Sequence, residues 1–383
     1  MARVVLAMSG GVDSSVAAHL LLRAGHDVIG VFMRHGHTVE TACASASNSE
    51  IGAAATASAL LPIVTARPDA AASPHKQGCC TAADAEDARR VADRLDIPFY
   101  AIDFQDEFTQ IIDYFIDEYA AARTPNPCVM CNNWIKFGKL FEYADSVAAD
   151  YVATGHYAIV APDDGGRPAL YQGVDGTKDQ SYVLFGLRPE VLARVLLPVG
   201  HYEKSEIRRM AGEIGLRVAD KKDSQEICFV TTGHHAEFIR RVRDDLDTAG
   251  EFVTTDGKVV GRHDGIEAFT VGQRKGLGIA LGEPHFVVRI EADTRRVVLG
   301  RREDLARTHL TADRANWLVP PPTAPRRCLA KIRYNTPPST AIVQALAGDR
   351  IDVQFDAGVN GVSPGQAVVC YEGDRVLGGG WIE

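Results

Sequence analysis

Two stretches of this chain carry residues whose types and spacing can do chemistry. The first is Met8-Ser9-Gly10-Gly11-Val12-Asp13-Ser14-Ser15. The apolar run Val4-Val5-Leu6-Ala7 leads into it, and a helical pattern with Val16, Ala17, Leu20, Leu21 and Ala24 on one face leads out to Gly25. Strand, tight turn and helix N-terminus therefore follow in succession. The first amides of a helix have no partner within it, and the helix dipole adds partial positive charge, so such a turn suits a phosphate. Gly10 and Gly11 let the backbone approach an anion closely. Ser9, Ser14 and Ser15 add neutral donors, and Asp13 is placed to orient them or to hold a magnesium ion.

The second stretch is Pro125-Asn126-Pro127-Cys128-Val129-Met130-Cys131-Asn132-Asn133. Its prolines hold the backbone extended and rigid. Cys131 is expected at or just before a helix N-terminus, a position that favours the reactive thiolate. Cys128 and Cys131 also have the spacing of half a zinc site, but no second Cys-x-x-Cys or finger-spaced His pair completes it. A redox Cys-x-x-Cys is a further alternative. Cys228 lies far along the chain, in Asp223-Ser224-Gln225-Glu226-Ile227-Cys228-Phe229. Taken alone, a cysteine between Ile and Phe reads as buried packing.

The elements that must position these residues follow from periodicity. Val28 to Met33 reads as a second strand, Asp84 to Leu95 as a helix, Ile97 to Ile102 as a third strand and Glu107 to Ala122 as a helix. A helix from Asn132 to Ala144 and a strand from Tyr151 to Thr154 come next. Strands alternating with helices imply an α/β fold with a doubly wound parallel sheet, whose ligands sit beyond the C-terminal strand ends. From about residue 35 to 78 the chain is rich in Ala and Ser and reads as a mostly flexible insertion, in which Cys43 is incidental. Past Glu283 no long helix is convincing, and short strands separated by turn residues suggest a small antiparallel β-barrel. The expected domains are 1–200, 201–282 and 283–383. Lys204-Ser205-Glu206-Ile207-Arg208-Arg209 and Arg240-Arg241 read as solvated helix faces, some of which meet phosphates.

The chain has 383 residues, 46% hydrophobic and 24% charged, with a net charge of −9. That is ordinary soluble composition with room for two or three cores, and the charge argues against indiscriminate nucleic-acid binding. No apolar run spans a bilayer and the N-terminus reads as a core strand, so no membrane association and a cytoplasmic location are expected. In that reducing compartment the eight cysteines serve burial, catalysis or metal binding rather than a disulfide framework.

The glycine-serine loop resembles the PP-loop of enzymes that split ATP between its α- and β-phosphates, and it lacks the Lys-Ser/Thr ending of a Walker loop. That loop occurs in one order with Arg123-Thr124-Pro125-Asn126-Pro127 through Cys131-Asn132, Ala153-Thr154-Gly155-His156-Tyr157, Lys178-Asp179-Gln180-Ser181-Tyr182, Asp223 through Phe229, and Gly272-Gln273-Arg274-Lys275-Gly276-Leu277-Gly278. Together these motifs resemble the bacterial tRNA-specific 2-thiouridylases over nearly the whole chain. Two departures are the Ala/Ser-rich insertion and Cys128, where many members carry Asp.

The resemblance implies a HUP-like PP-loop domain, a small central domain and a C-terminal barrel. It implies an ATP-dependent tRNA sulfurtransferase that adenylates C2 of the wobble uridine and replaces its oxygen with sulfur. By this resemblance Ala7, Met8, Ser9, Gly10, Gly11, Val12, Asp13, Ser14, Met33 and Gly155 contact ATP, with Mg2+ neutralising the departing pyrophosphate. Cys228 carries a persulfide delivered by a sulfur-relay protein or cysteine desulfurase, and Cys131 attacks it. Asn126, Pro127 and Cys128 lie near the target base, while His156, Lys178, Asp179, Gln180, Arg333, Tyr334 and Gln366 contact tRNA. A competing arrangement makes Cys128, Cys131 and Cys228 the ligands of a [4Fe-4S] cluster with one iron left open. Two rivals stand beside this reading: an amide-forming PP-loop synthetase, which needs neither cysteine, and a noncatalytic RNA-binding protein with an ATP-sensing loop.

Overall fold

The computed structural model describes residues 1–34, 81–221, 227–230 and 234–383. The expected insertion, Cys43, Cys79, Cys80 and Asp223 to Glu226 lie outside the described residues. Arg3–Ala7 forms β1, buried from Val4 onward, and Asp27–Arg34 forms β2. Val12–Arg23 between them is α1. Its Val12, Val16, Ala17 and Leu21 recur at helical spacing and are buried against the sheet. Ala82–Leu95 is α2, started by a capping box of Thr81 and Asp84. Phe99–Asp103 is β3, and Gln105–Ala120 is α3. The chain then turns at Ala122, in left-handed backbone, into the proline-rich loop.

With Tyr151–Ala153 as β4 and, later, Val195–Leu196 as a fifth parallel strand, the sheet order is β3-β2-β1-β4 and then that last strand. Neighbours pair in parallel throughout. After β3 the chain crosses back to add β4 on the other side of β1, so the order reverses between β1 and β4. In open α/β sheets the ligand crevice lies at that reversal, outside the carboxyl ends of the two strands. The expected parallel doubly wound sheet is therefore present, with the Ser-Gly-Gly loop and Thr154-Gly155 at its switch point.

A four-stranded sheet follows, built from Gly250–Thr254, Val259–His263, Phe286–Glu291 and Arg296–Gly300. Arg296–Gly300 pairs with Gly250–Thr254 in parallel. The expected boundary at 282/283 thus falls inside one hydrogen-bonded sheet, because the Gly-rich segment before Phe286 connects strands of that sheet.

The last six strands, Ala306–Trp317, Arg326–Lys331, Ser339–Leu346, Arg350–Asn360, Ala367–Glu372 and Arg375–Ile382, form the C-terminal barrel. They are antiparallel, and pairing of the first with the last closes the barrel. Closure leaves no edge to aggregate. The hairpin of Ala158–Pro162 and Pro168–Gln172, which comes from the nucleotide domain, adds onto the final strand through Tyr171 opposite Arg375. One hydrophobic core runs across this junction, from Phe115, Val129 and Tyr182 to Val369, Tyr371 and Trp381. Among the described residues, no helix is long and apolar enough to cross a membrane.

Candidate active site

The loop after β1 is built to receive an anion. Gly11 is the N-cap of α1, and no side chain caps it. The first amides of the helix are therefore left for a ligand. Gly10 takes φ +70°, a left-handed conformation suited to glycine, and a Cβ there would collide with the Asp84 carbonyl. The hydroxyls brace the loop: the Ser9 amide donates to Ser14 Oγ at 3.2 Å, and Ser14 Oγ and Ser15 Oγ donate to the Gly11 carbonyl at 3.2 and 2.8 Å. Gly155, at the end of β4, packs onto the same helix start. A Cβ on it would stand 2.7 Å from the Ser14 nitrogen and 2.9 Å from the Asp13 carbonyl carbon. Met33, at the C-terminal end of β2, is partly buried beside the same sheet end. The residues expected to contact ATP thus meet at one sheet end, and the uncapped helix start fits a phosphate chain.

Asp13 is placed differently from a bare magnesium ligand. Lys204 Nζ donates to both of its carboxylate oxygens at 2.8 Å, and Tyr157 Oη donates to Oδ1 at 2.6 Å. Lys204 is buried, at the first position of the helix Lys204–Glu213, whose capping box is Glu203 with Glu206. Its ammonium also lies 5.5 Å from the Tyr157 ring centre. A second lysine holds the other side of the loop. Lys221 Nζ donates to the Gly10 carbonyl at 2.9 Å and to Asp84 Oδ1 and Asp87 Oδ2 at 2.7 Å each. Burial works against the charge of Lys221, but its hydrogen bonds to the two carboxylates outweigh that and raise its pKa. The sequence pattern misses Lys204: a lysine opening an amphipathic helix reads as solvated, and only tertiary packing turns it inward.

The cysteine stretch forms a helix earlier than its pattern suggests. Pro127–Met130 is the first turn, with Asn126 as N-cap accepting from the Val129 amide. Cys131 therefore lies a turn inside rather than at the start. From Cys131 to Lys139 the helix is π-wound before Leu140–Ser146 returns to α geometry. Such widening is frequent at functional sites. Asn132 is buried and donates to the Val183 carbonyl at 2.9 Å. Cys228 is held by its neighbour: the Phe229 ring packs edge-on against Phe108 at 5.7 Å and Phe115 at 5.1 Å on α3. Cys131 and Cys228 pack against the same core cluster, while Cys128 is exposed. Among the described residues, no three Cys, His, Asp or Glu side chains converge as a metal site. The three-thiolate site of Cys128, Cys131 and Cys228 that an iron–sulfur cluster needs therefore has no support among the described residues.

Several residues expected at RNA are engaged inside the protein. Asp179 is buried and accepts from the amides of Gly173 and Ser181, Ser181 Oγ and Gln172 Nε2. Gln180 Oε1 accepts from the Tyr157 amide. Arg333 donates to the carbonyls of Gly361 and Val271 and to Ser363 Oγ, tying the barrel to the central sheet. Gln366 Nε2 donates to the carbonyls of Thr124 and Pro125, so the barrel grips the loop that carries Asn126, Pro127 and Cys128. His156 is buried between Thr154 Oγ1 at 2.7 Å and Lys136 Nζ at 3.4 Å, and burial pushes its pKa well below the usual imidazole range. Tyr334 is only partly buried and lies near Tyr182, with ring centres 6.2 Å apart. Lys178 is partly exposed.

A parallel sheet with a Ser-Gly-Gly loop at its switch point and an uncapped helix behind it defines a PP-loop nucleotide-binding protein of the HUP class. The matching family models are described as a tRNA methyl transferase HUP domain over residues 2–70 and 60–232, a tRNA methyl transferase PRC-barrel domain over 236–301 and an aminomethyltransferase β-barrel domain over 307–382. A tRNA-specific 2-thiouridylase of Rhodopirellula baltica is 58% identical over 100% of this chain and 96% of that protein. Those of Geotalea uraniireducens and Symbiobacterium thermophilum are 45% and 43% identical over 100% of this chain and 95% and 92% of theirs. The chain belongs to the tRNA-specific 2-thiouridylase family.

Proposed function

We propose that this protein exchanges the C2 oxygen of the wobble uridine of tRNA for sulfur, at the cost of one ATP split to AMP and pyrophosphate. The observation that carries the reading is the uncapped start of α1 under Gly155, in a chain whose two reactive-cysteine segments pack on one core. A carbonyl oxygen leaves poorly, and ATP supplies the means to make it leave as AMP. The α1 amides and Ser9 would hold the phosphates, with Mg2+ sharing their charge and Lys204 and Tyr157 keeping Asp13 aligned. Cys228 would carry the sulfur as a persulfide. Attack of the Cys131 thiolate on the Cys228 sulfur would break the persulfide S–S bond, form a Cys131–Cys228 disulfide and release the terminal sulfur to C2. A thiol reductant would first open the Cys131–Cys228 disulfide, and a sulfur-relay protein or cysteine desulfurase would then recharge Cys228, in the cytoplasm where tRNA matures.

The family-model descriptions speak of methyl transfer. Neither a phosphate loop nor a pair of cysteines is needed to move a methyl group, and both suit adenylation and sulfur transfer. The test is incubation with ATP, Mg2+, unmodified tRNA and a persulfide donor, followed by mass analysis of the wobble nucleoside. One oxygen exchanged for sulfur is expected, together with AMP; an added methyl group, or no change, would sink the proposal. Cys131→Ser and Cys228→Ser should each abolish sulfur incorporation, and retained turnover would favour an amide-forming synthetase instead.

A further inference from the structure

Near the helix that carries Cys131 the barrel presents a cation that the reaction outlined above does not use. Lys331 ends the strand Arg326–Lys331, paired with Val369. Its ammonium lies 5.9 Å from the Tyr182 ring centre and 5.5 Å from that of Tyr334. Among the described residues, no carboxylate comes within ion-pair distance of it. The acid whose field reaches it is Asp179, whose oxygens are taken by the Gly173 and Ser181 amides, Ser181 Oγ and Gln172 Nε2. Burial disfavours the charged form of Lys331, and the field of Asp179 only partly offsets this. A half-buried ammonium held over two rings and left without a counter-ion is an incomplete site, and the missing part is an anion. The same place borders the cysteine-bearing helix: Tyr182 lies in the turn Ser181–Leu184, whose Val183 carbonyl accepts from Asn132, the residue after Cys131.

We infer that Lys331 binds a backbone phosphate of the RNA strand next to the target uridine, with the partly exposed face of Tyr334 available to a neighbouring base. The phosphate of a strand whose base has been turned toward Cys128 would sit within a nucleotide's length of that base. This rests on the sulfur-transfer reading, since it presumes an RNA substrate. A Lys331–phosphate contact would fix strand register and add one released counter-ion to binding.

The test measures tRNA binding over a range of salt for the wild type, Lys331→Met and Lys331→Arg, and ATP binding without tRNA for each. Lys331→Met should weaken tRNA binding about tenfold and lower the salt slope by about 0.7–0.9. Lys331→Arg should stay near wild type, and ATP affinity should not move. Lys331→Gln repeats the measurement should the Met variant fold poorly. Unchanged tRNA affinity and slope in the uncharged variants, or a loss of ATP affinity in place of tRNA affinity, would overturn the inference. A wild-type protein that binds no tRNA would overturn the functional reading itself, which is a separate and recognisable outcome.

Discussion

Gly155 and Ser14 are joined by an approach that no other residue permits: a Cβ at position 155 would lie 2.7 Å from the Ser14 amide nitrogen. The end of β4 is thereby pressed onto the start of α1, and the two flanks of the switch point become one surface. Gly155→Ala must push the loop outward. A displacement of about 1 Å at a reacting centre costs roughly a hundredfold in rate. AMP formation in the presence of tRNA should fall by about that factor, with the fold retained by circular dichroism. A variant that turns over like wild type would show that the loop is not shaped by this contact.

Lys204 and Asp13 should prove coupled. The lysine side chain is 9% exposed and the aspartate 29%. Removing one partner of a largely buried pair leaves the other charge stranded, at a cost of about 3 kcal/mol. Lys204→Met should therefore lower urea stability by that order. The double variant Lys204→Met with Asp13→Asn should recover most of the stability while remaining inactive. Additive losses in the double variant would contradict the coupling.

The loop before Cys131 depends on a residue more than two hundred positions away. Gln366→Ala removes two hydrogen bonds to the Thr124 and Pro125 carbonyls, worth about 1–2 kcal/mol together. Hydrogen exchange should rise in residues 124–131, and thiolation should slow. Because Gln366 is uncharged, the salt slope of tRNA binding should stay as in wild type.

Two histidines make the fold sensitive to acid. Burial holds the pKa of His156 well below the ordinary imidazole range, and burial with the nearby His234 lowers that of His235 to about 4. Both are neutral when folded and titrate normally, near 6.5, when unfolded. Below 6.5 the unfolded chain takes up protons that the folded chain does not, so stability is full above that pH and declines as pH falls toward 4. The decline should be on the order of 1 kcal/mol per pH unit for each group. His235→Gln should flatten the dependence of the urea midpoint between pH 6.5 and 4.5, and an unchanged slope would count against it.

The chemistry was legible where local pattern suffices. Ser9 to Ser15 declares an anion-binding turn, because strand, glycines and helix start are consecutive. Cys131 and Cys228 were legible only through motif order, since nothing local links positions so far apart. Lys204, Lys221 and Lys331 were not legible: their roles come from which carboxylates and rings the fold brings to them. The π-winding at Cys131–Lys139 has no periodic signature, and the late helix start expected at Asn132 missed Pro127 as a first-turn residue. Asp179, Gln180, Arg333 and Gln366 show the opposite limit. Only the resemblance puts them at tRNA, and the hydrogen bonds each makes within the protein show a structural part that no local pattern announces.

The strand Arg375–Ile382 completes the barrel, receives Tyr171 of the nucleotide domain and seats Trp381 in the shared core. A ribosome-bound chain that has not yet exposed this strand would hold its nucleotide domain with an uncovered apolar flank. Maturation of the enzyme should therefore lag behind synthesis of its catalytic half. Nascent chains arrested before Arg375 should be cut readily by protease between Ala158 and Gln172, whereas protection there before the strand emerges would mean that the two halves mature separately.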